Sequence, residues 1–152
     1  MGTNDDTIST LNNLVETCKD GENGYRTAAD GVKNSELTTL FNTYAQQRAR
    51  FASELQAEVR RLGGDPEQTG SVAASLHRGW INIKSVVTGA DEAAVIAECE
   101  SGEDSAVANY QGALKANLPA DAQSVVQRQY TEVKEAHDKI RDMKRASSAG
   151  RS

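Results

Sequence analysis

The sequence predicts an all-α fold: an antiparallel four-helix bundle with a short helix in the long crossover between the second and third long helices. Three observations carry this. Four long stretches place apolar residues at alternating spacings of three and four, the period of a helix with one core-facing stripe. Hydrophobic residues make up 38% of the chain but aromatics only 5%, which is lean for a sheet protein and ordinary for a bundle cored by alanine, leucine and valine. The strongest loop signal, GGDPEQTG at 63–70, falls between the second and third of the four stretches and separates two helical hairpins. At 152 residues the whole chain, 1–152, suits a single domain that buries about two-thirds of its unfolded surface.

The first helix is expected over 5–31, with Ile8, Leu11, Val15, Cys18, Glu22, Tyr25 and Ala29 on its inward stripe and Asp5 and Asp6 at its positive end. It stops near Gly31, and Asn34 or Ser35 caps the next helix, 35–62, whose stripe runs through Leu37, Phe41, Tyr44, Arg48, Phe51, Leu55 and Leu62. The crossover helix, about 71–88, is interrupted by Gly79 and carries His77 and Trp80 three residues apart. That pair reads as an amphipathic anchor rather than as two ligands. Asp91 or Thr88 caps the third long helix, 91–116, with Ile96, Cys99, Glu103, Ala106, Tyr110 and Ala113 inward. Pro119 stands in the first turn of the fourth, 119–145, where its missing N–H does no harm, and Val126, Tyr130, Val133, His137 and Ile140 face in. The basic end, KIRDMKRASSAGRS, complements the helix C-terminus, and the tail 146–152 frays. Four long helices with one long crossover follow the ferritin-like arrangement among bundle topologies.

Each long helix therefore contributes one ionisable residue to the core: Glu22, Arg48, Glu103 and His137. The chain also writes Cys-x-x-Gly-Glu twice, at 18–22 and 99–103, as an internal repeat that pairs the first helix with the third. A di-iron carboxylate centre needs a glutamate from each of two helices and a Glu-x-x-His from each of the other two. Glu22 and Glu103 match the lone glutamates, but Ala45, Arg48 and Lys134 stand where further ligands belong. The leading reading is a charge-neutralised buried cluster in which Arg48 and a protonated His137 bridge Glu22 and Glu103, with the hydroxyls of Tyr25 and Tyr110 nearby. The alternative is one divalent ion, iron or another, held at low occupancy by Glu22, Glu103 and His137. A glycine inside a helix costs roughly 1 kcal/mol relative to alanine. Gly21 and Gly102 thus point to a close approach, by Arg48 or a tyrosine hydroxyl, or to plain packing.

The net charge of −5 and the lack of a dense Lys/Arg stripe argue against a nucleic-acid partner. No stretch approaches the 18 or so apolar residues of a membrane span, and no secretory signal opens the chain, so a cytoplasmic protein without a membrane partner is expected. Cys18 and Cys99 belong to no CxxC motif and read as two free, core-facing thiols. Phosphate-binding loops, a nucleophile elbow and HExxH are all missing, which leans the reading away from an enzyme and towards no cofactor. A scaffold or stress-associated role and a metal-dependent oxidase or iron handler are the rival classes, and a homodimer is left open.

The blocks DGENGYRTAADGV, QQRARFASELQAEVRRLGG, SLHRGWINIK, ECESGEDSAVANYQGAL and AHDKI together resemble a bacterial four-helix-bundle family with a ferritin-like fold, catalogued as domain of unknown function 2383. The resemblance runs from about residue 7 to 145. It implies the fold and no particular activity, and it does not restore the ligands missing at Ala45, Arg48 and Lys134.

Overall fold

The structure, a computed structural model, describes residues 2–66, 79–89 and 91–149. It contains α1 (Gly2–Asp30), α2 (Ser35–Arg61), α3 (Ile83–Thr88), α4 (Glu92–Leu114) and α5 (Ala120–Ala149), with no strand among the described residues. The helix ends follow local chemistry. Asn34 accepts from the backbone N–H groups of Glu36 and Leu37 to start α2, and Asp91 accepts from Ala93 N–H to start α4. At the end of α2, Gly63 takes φ +86°, so that Gly63 N–H reaches Arg60 O and Gly64 N–H reaches Val59 O, a Schellman closure. α5 continues to Ala149, past the expected end at 145; residues 150–152 of the expected tail lie outside the described residues.

Two hairpins, α1/α2 and α4/α5, pack with α1 beside α4 and α2 beside α5. As α1 advances from Cys18 to Tyr25, their partners on α4 retreat from Tyr110 to Glu103. As α2 advances from Glu54 to Arg61, its partners on α5 retreat from Arg128 to Asp121. Both neighbouring pairs are therefore antiparallel, and α2 and α4 face each other across the bundle diagonal. Of the expected crossover helix, only Ile83–Thr88 is helical among the described residues; 71–78, with His77, lie outside them.

The core is built in two clusters. One gathers Leu11, Leu14, Cys18, Phe51, Leu55, Tyr110, Val126 and Val133; the other gathers Tyr25, Phe41, Ala45, Trp80, Ile96, Cys99 and Ile140. Arg48 sits along α2 between Ala45 and Phe51, at the seam of the two. Trp80 is buried and wedged between α1 and α4: a Cβ on Gly24 would come within 2.3 Å of its ring and a Cβ on Gly102 within 2.0 Å. Gly79, at φ +72°, brings the chain in against the Ser101 carbonyl, where a Cβ would lie 2.6 Å away. Of the repeated glycines, Gly102 makes room for an indole and Gly21 for the Arg48 side chain, whose Cγ lies 3.3 Å from where a Cβ would stand.

Candidate functional site

At the bundle centre Arg48 crosses the diagonal from α2 to Glu103 on α4. The pair is bidentate, Nη1 to Oε1 and Nη2 to Oε2, both at 2.7 Å, with side chains 2% and 0% exposed. Planar fork geometry of this kind is the strong form of a charge-assisted bond. Tyr25, from α1, donates its hydroxyl to Glu103 Oε2 and lays its ring 5.7 Å from the guanidinium carbon. Arg48 Nε donates to Gln47 Oε1 at 3.1 Å. Burial on its own would pull the guanidinium pKa down, but the Glu103 carboxylate beside it carries the net shift upward. Burial and the same carboxylate hold the Tyr25 hydroxyl well above its ordinary value, so it remains a donor. One positive and one negative group therefore neutralise each other in a buried site, between two helices that do not pack as neighbours.

A second polar chain lies one layer away. Gln129 donates its amide to Glu54 Oε1 at 2.8 Å and to Phe51 O, so its own Oε1 accepts from the Tyr110 hydroxyl at 2.7 Å. Tyr110 has spent its one proton there and must accept from the Cys18 thiol at 3.1 Å. Arg128 closes the chain at the surface on Glu54. Burial pushes the Cys18 thiol up to about 11.

Four of the six residues expected in the polar core are there, in two groups: Arg48, Glu103 and Tyr25 in one, Tyr110 in the other. Glu22 and His137 are not with them, which corrects the single four-residue cluster. Glu22 lies partly exposed on α1 and accepts from Arg26 one turn on, at 2.7 Å. His137 faces sideways from α5, its Nε2 2.7 Å from Asp104 and its Nδ1 3.0 Å from Asp138. The physical reason is the phase of the stripe. α1 buries Leu11, Leu14, Cys18, Gly21, Tyr25 and Ala28, and α5 buries Ala122, Val126, Gln129, Val133, Ala136 and Ile140. Gly21 and Ala136 thus stand inward where the charged neighbours were expected, and Gly21 leaves space for the long Arg48 side chain from α2. Tyr130 and Tyr44 likewise sit at the edge of the core, beside Gln129 and Ala45.

Glu22, Glu103 and His137 consequently do not converge, and no group of three or more metal-ligating side chains does so among the described residues. The residues at the bundle centre do not fit the metal that a ferritin-like fold suggests: they offer one carboxylate, already chelating a guanidinium that cannot lose its charge. A surface pocket of about 480 Å³, lined by Asp6, Thr7, Thr10 and Lys115 to Leu118, carries no histidine or cysteine and lies at the loop end of the α4/α5 hairpin. No helix among the described residues is long and apolar enough to cross a membrane.

No curated protein matches this chain. Among solved structures, a two-domain protein containing DJ-1/ThiJ/PfpI-like and ferritin-like domains from Anabaena variabilis ATCC 29413 is similar with a TM-score of 0.78 at 14% identity, over 95% of this chain and 40% of that one. The chain thus spans well under half of that protein, and at such identity the likeness establishes the ferritin-like fold alone. The family model described as Domain of unknown function (DUF2383) matches residues 6–116, which takes in α1, α2, α3 and α4 with Tyr25, Arg48 and Glu103. The chain is a ferritin-like member of that family.

Proposed function

We propose that this chain is a non-enzymatic ferritin-like bundle, a cytoplasmic scaffold or stress-associated protein that acts through its outer faces. Its core keeps a guanidinium where di-iron carboxylate proteins of this fold keep metal. The observation that carries the reading is the closure of Glu103: both of its oxygens accept from Arg48, and one also accepts from Tyr25. A cation could take this carboxylate only by expelling a buried, permanently charged side chain. The Anabaena protein carries its ferritin-like domain beside a domain of another fold, which agrees with use of the bundle as a module. The net charge of −5 speaks against nucleic acid and anionic membrane surfaces as partners. The partner is then another protein, a homodimer being the simplest case.

The test is metal content. Protein purified without chelator, incubated with iron(II), manganese(II) or zinc(II) and desalted, should retain well under one equivalent of each by elemental analysis. A stoichiometric metal, one or two per chain, would overturn this reading and restore a metal-binding bundle with a degenerate site.

A further inference from the structure

We propose that the proton on His137 is a clasp that holds the C-terminal third of α5 against α4, and that losing it loosens this segment of the bundle. The geometry requires the proton. Both imidazole nitrogens lie against carboxylates, Nε2 on Asp104 of α4 at 2.7 Å and Nδ1 on Asp138 of α5 at 3.0 Å. A neutral imidazole carries one N–H and one lone pair, so one of the two contacts would set a lone pair against a carboxylate. Asp138 is not free to turn away: Lys134 holds it at 2.9 Å and Arg141 at 3.4 Å. The ring is the part that gives way, and turning it withdraws Nε2 from Asp104.

The charged groups facing this site are few. From α4 come Asp104 and, about one turn away, Glu100, which is paired with Lys144 at 2.8 Å; from α5 come Lys134, Asp138, Arg141 and Lys144. Burial lowers the His137 pKa, but the bonds to Asp138 and Asp104 outweigh it and the net shift is upward from 6.5. The sign follows: a raised pKa gives a contribution fully present below the unfolded value and lost as pH rises through the folded one. The clasp therefore holds on the acid side of that raised midpoint and opens on its alkaline side.

Position gives the opening its consequence. The α4/α5 turn lies at 115–119, so His137 and Lys144 secure the far, open end of the hairpin. Beyond His137, Ile140 is fully buried and Met143 packs on the core cluster that contains Ile96 and Cys99. Loosening this end uncovers an apolar strip while the Arg48–Glu103 pair and the other core cluster stay shut.

Two measurements on the native protein test this. Imidazole nitrogen NMR between about pH 5 and 9 should show His137 losing its second proton with a midpoint above 6.5 that falls in Asp104→Asn. Hydrogen exchange, corrected for intrinsic rates, should rise several-fold in 138–146 relative to 120–133 as pH crosses that midpoint. In His137→Gln the exchange of 138–146 should already be raised and show no step. A midpoint at or below 6.5, the absence of a step, or a step that persists in His137→Gln would each overturn the proposal.

Discussion

Replacing Arg48 by methionine tests the buried pair through a magnitude that can be worked out. The substitution keeps most of the aliphatic stem and removes the only formal positive charge on Glu103, leaving a carboxylate with 0% exposure held by the Tyr25 hydroxyl alone. Stranding one member of a buried pair costs about 3–5 kcal/mol. The variant has one escape, which is to protonate Glu103. At pH 7 neutralising an ordinary glutamic acid costs about 3.7 kcal/mol, from roughly 1.36 kcal/mol for each of about 2.7 pH units; at pH 5 it costs about 1 kcal/mol. The destabilisation of Arg48→Met should therefore be about 3–4 kcal/mol at pH 7 and shrink by about 2–3 kcal/mol at pH 5. Adding Glu103→Gln, which leaves Tyr25 an acceptor, should recover most of the loss at pH 7, because a neutral core tolerates what a lone charge does not. Urea unfolding followed by the fluorescence of Trp80, the single tryptophan, and by circular dichroism measures all three quantities. A loss below roughly 0.5 kcal/mol, or one that ignores pH, would refute the reasoning.

The two repeated glycines should respond differently to alanine. Gly102→Ala drives a Cβ to 2.0 Å from the rigid Trp80 ring and should destabilise by about 1–3 kcal/mol with a red-shifted tryptophan emission. Gly21→Ala meets the flexible Arg48 stem at 3.3 Å, and the gain of about 1 kcal/mol in helix propensity should leave stability within about 1 kcal/mol of the parent in the same urea assay. Tyr110→Phe removes the donor to Gln129 Oε1 and the acceptor of the Cys18 thiol, and a loss of about 1–3 kcal/mol is expected on unfolding. With its thiol pushed up to about 11 and no exposure to speak of, Cys18 should resist a bulky thiol reagent in the folded protein. Cys99 should behave likewise, both reacting at once in denaturant; fast labelling of the native state would count against this packing.

Much of the fold could be read from the pattern of α4, where Ile96, Cys99, Glu103, Ala106, Tyr110 and Ala113 are all buried as the spacing predicts. In α1 and α5 the same alternation admits two phases one residue apart. Leu11, Cys18 and Tyr25 belong to both, so periodicity alone could not choose between Glu22 and Gly21, and repeating the Gly-Glu motif favoured the charged residue. The physical signal lay in volume: once Arg48 must cross the diagonal, the helix it passes needs a small residue, and Gly21 supplies it. Gln129 follows from the same phase, since the stripe through Val126, Val133 and Ile140 passes it in place of Tyr130. The seat of Trp80 was beyond reach of a helical period, because the turn that delivers it has none. Gly24 and Gly102, both interior to long helices, were its trace in the sequence.

The central claim is that a guanidinium, and not a metal, occupies the bundle centre, and a crystal structure of the protein grown with manganese(II) or iron(II) tests it most directly. The account predicts Arg48 in bidentate contact with Glu103, the Tyr25 hydroxyl on the same carboxylate, and no anomalous scattering peak between α2 and α4. A peak within bonding distance of Glu103, with Arg48 swung away, would contradict it.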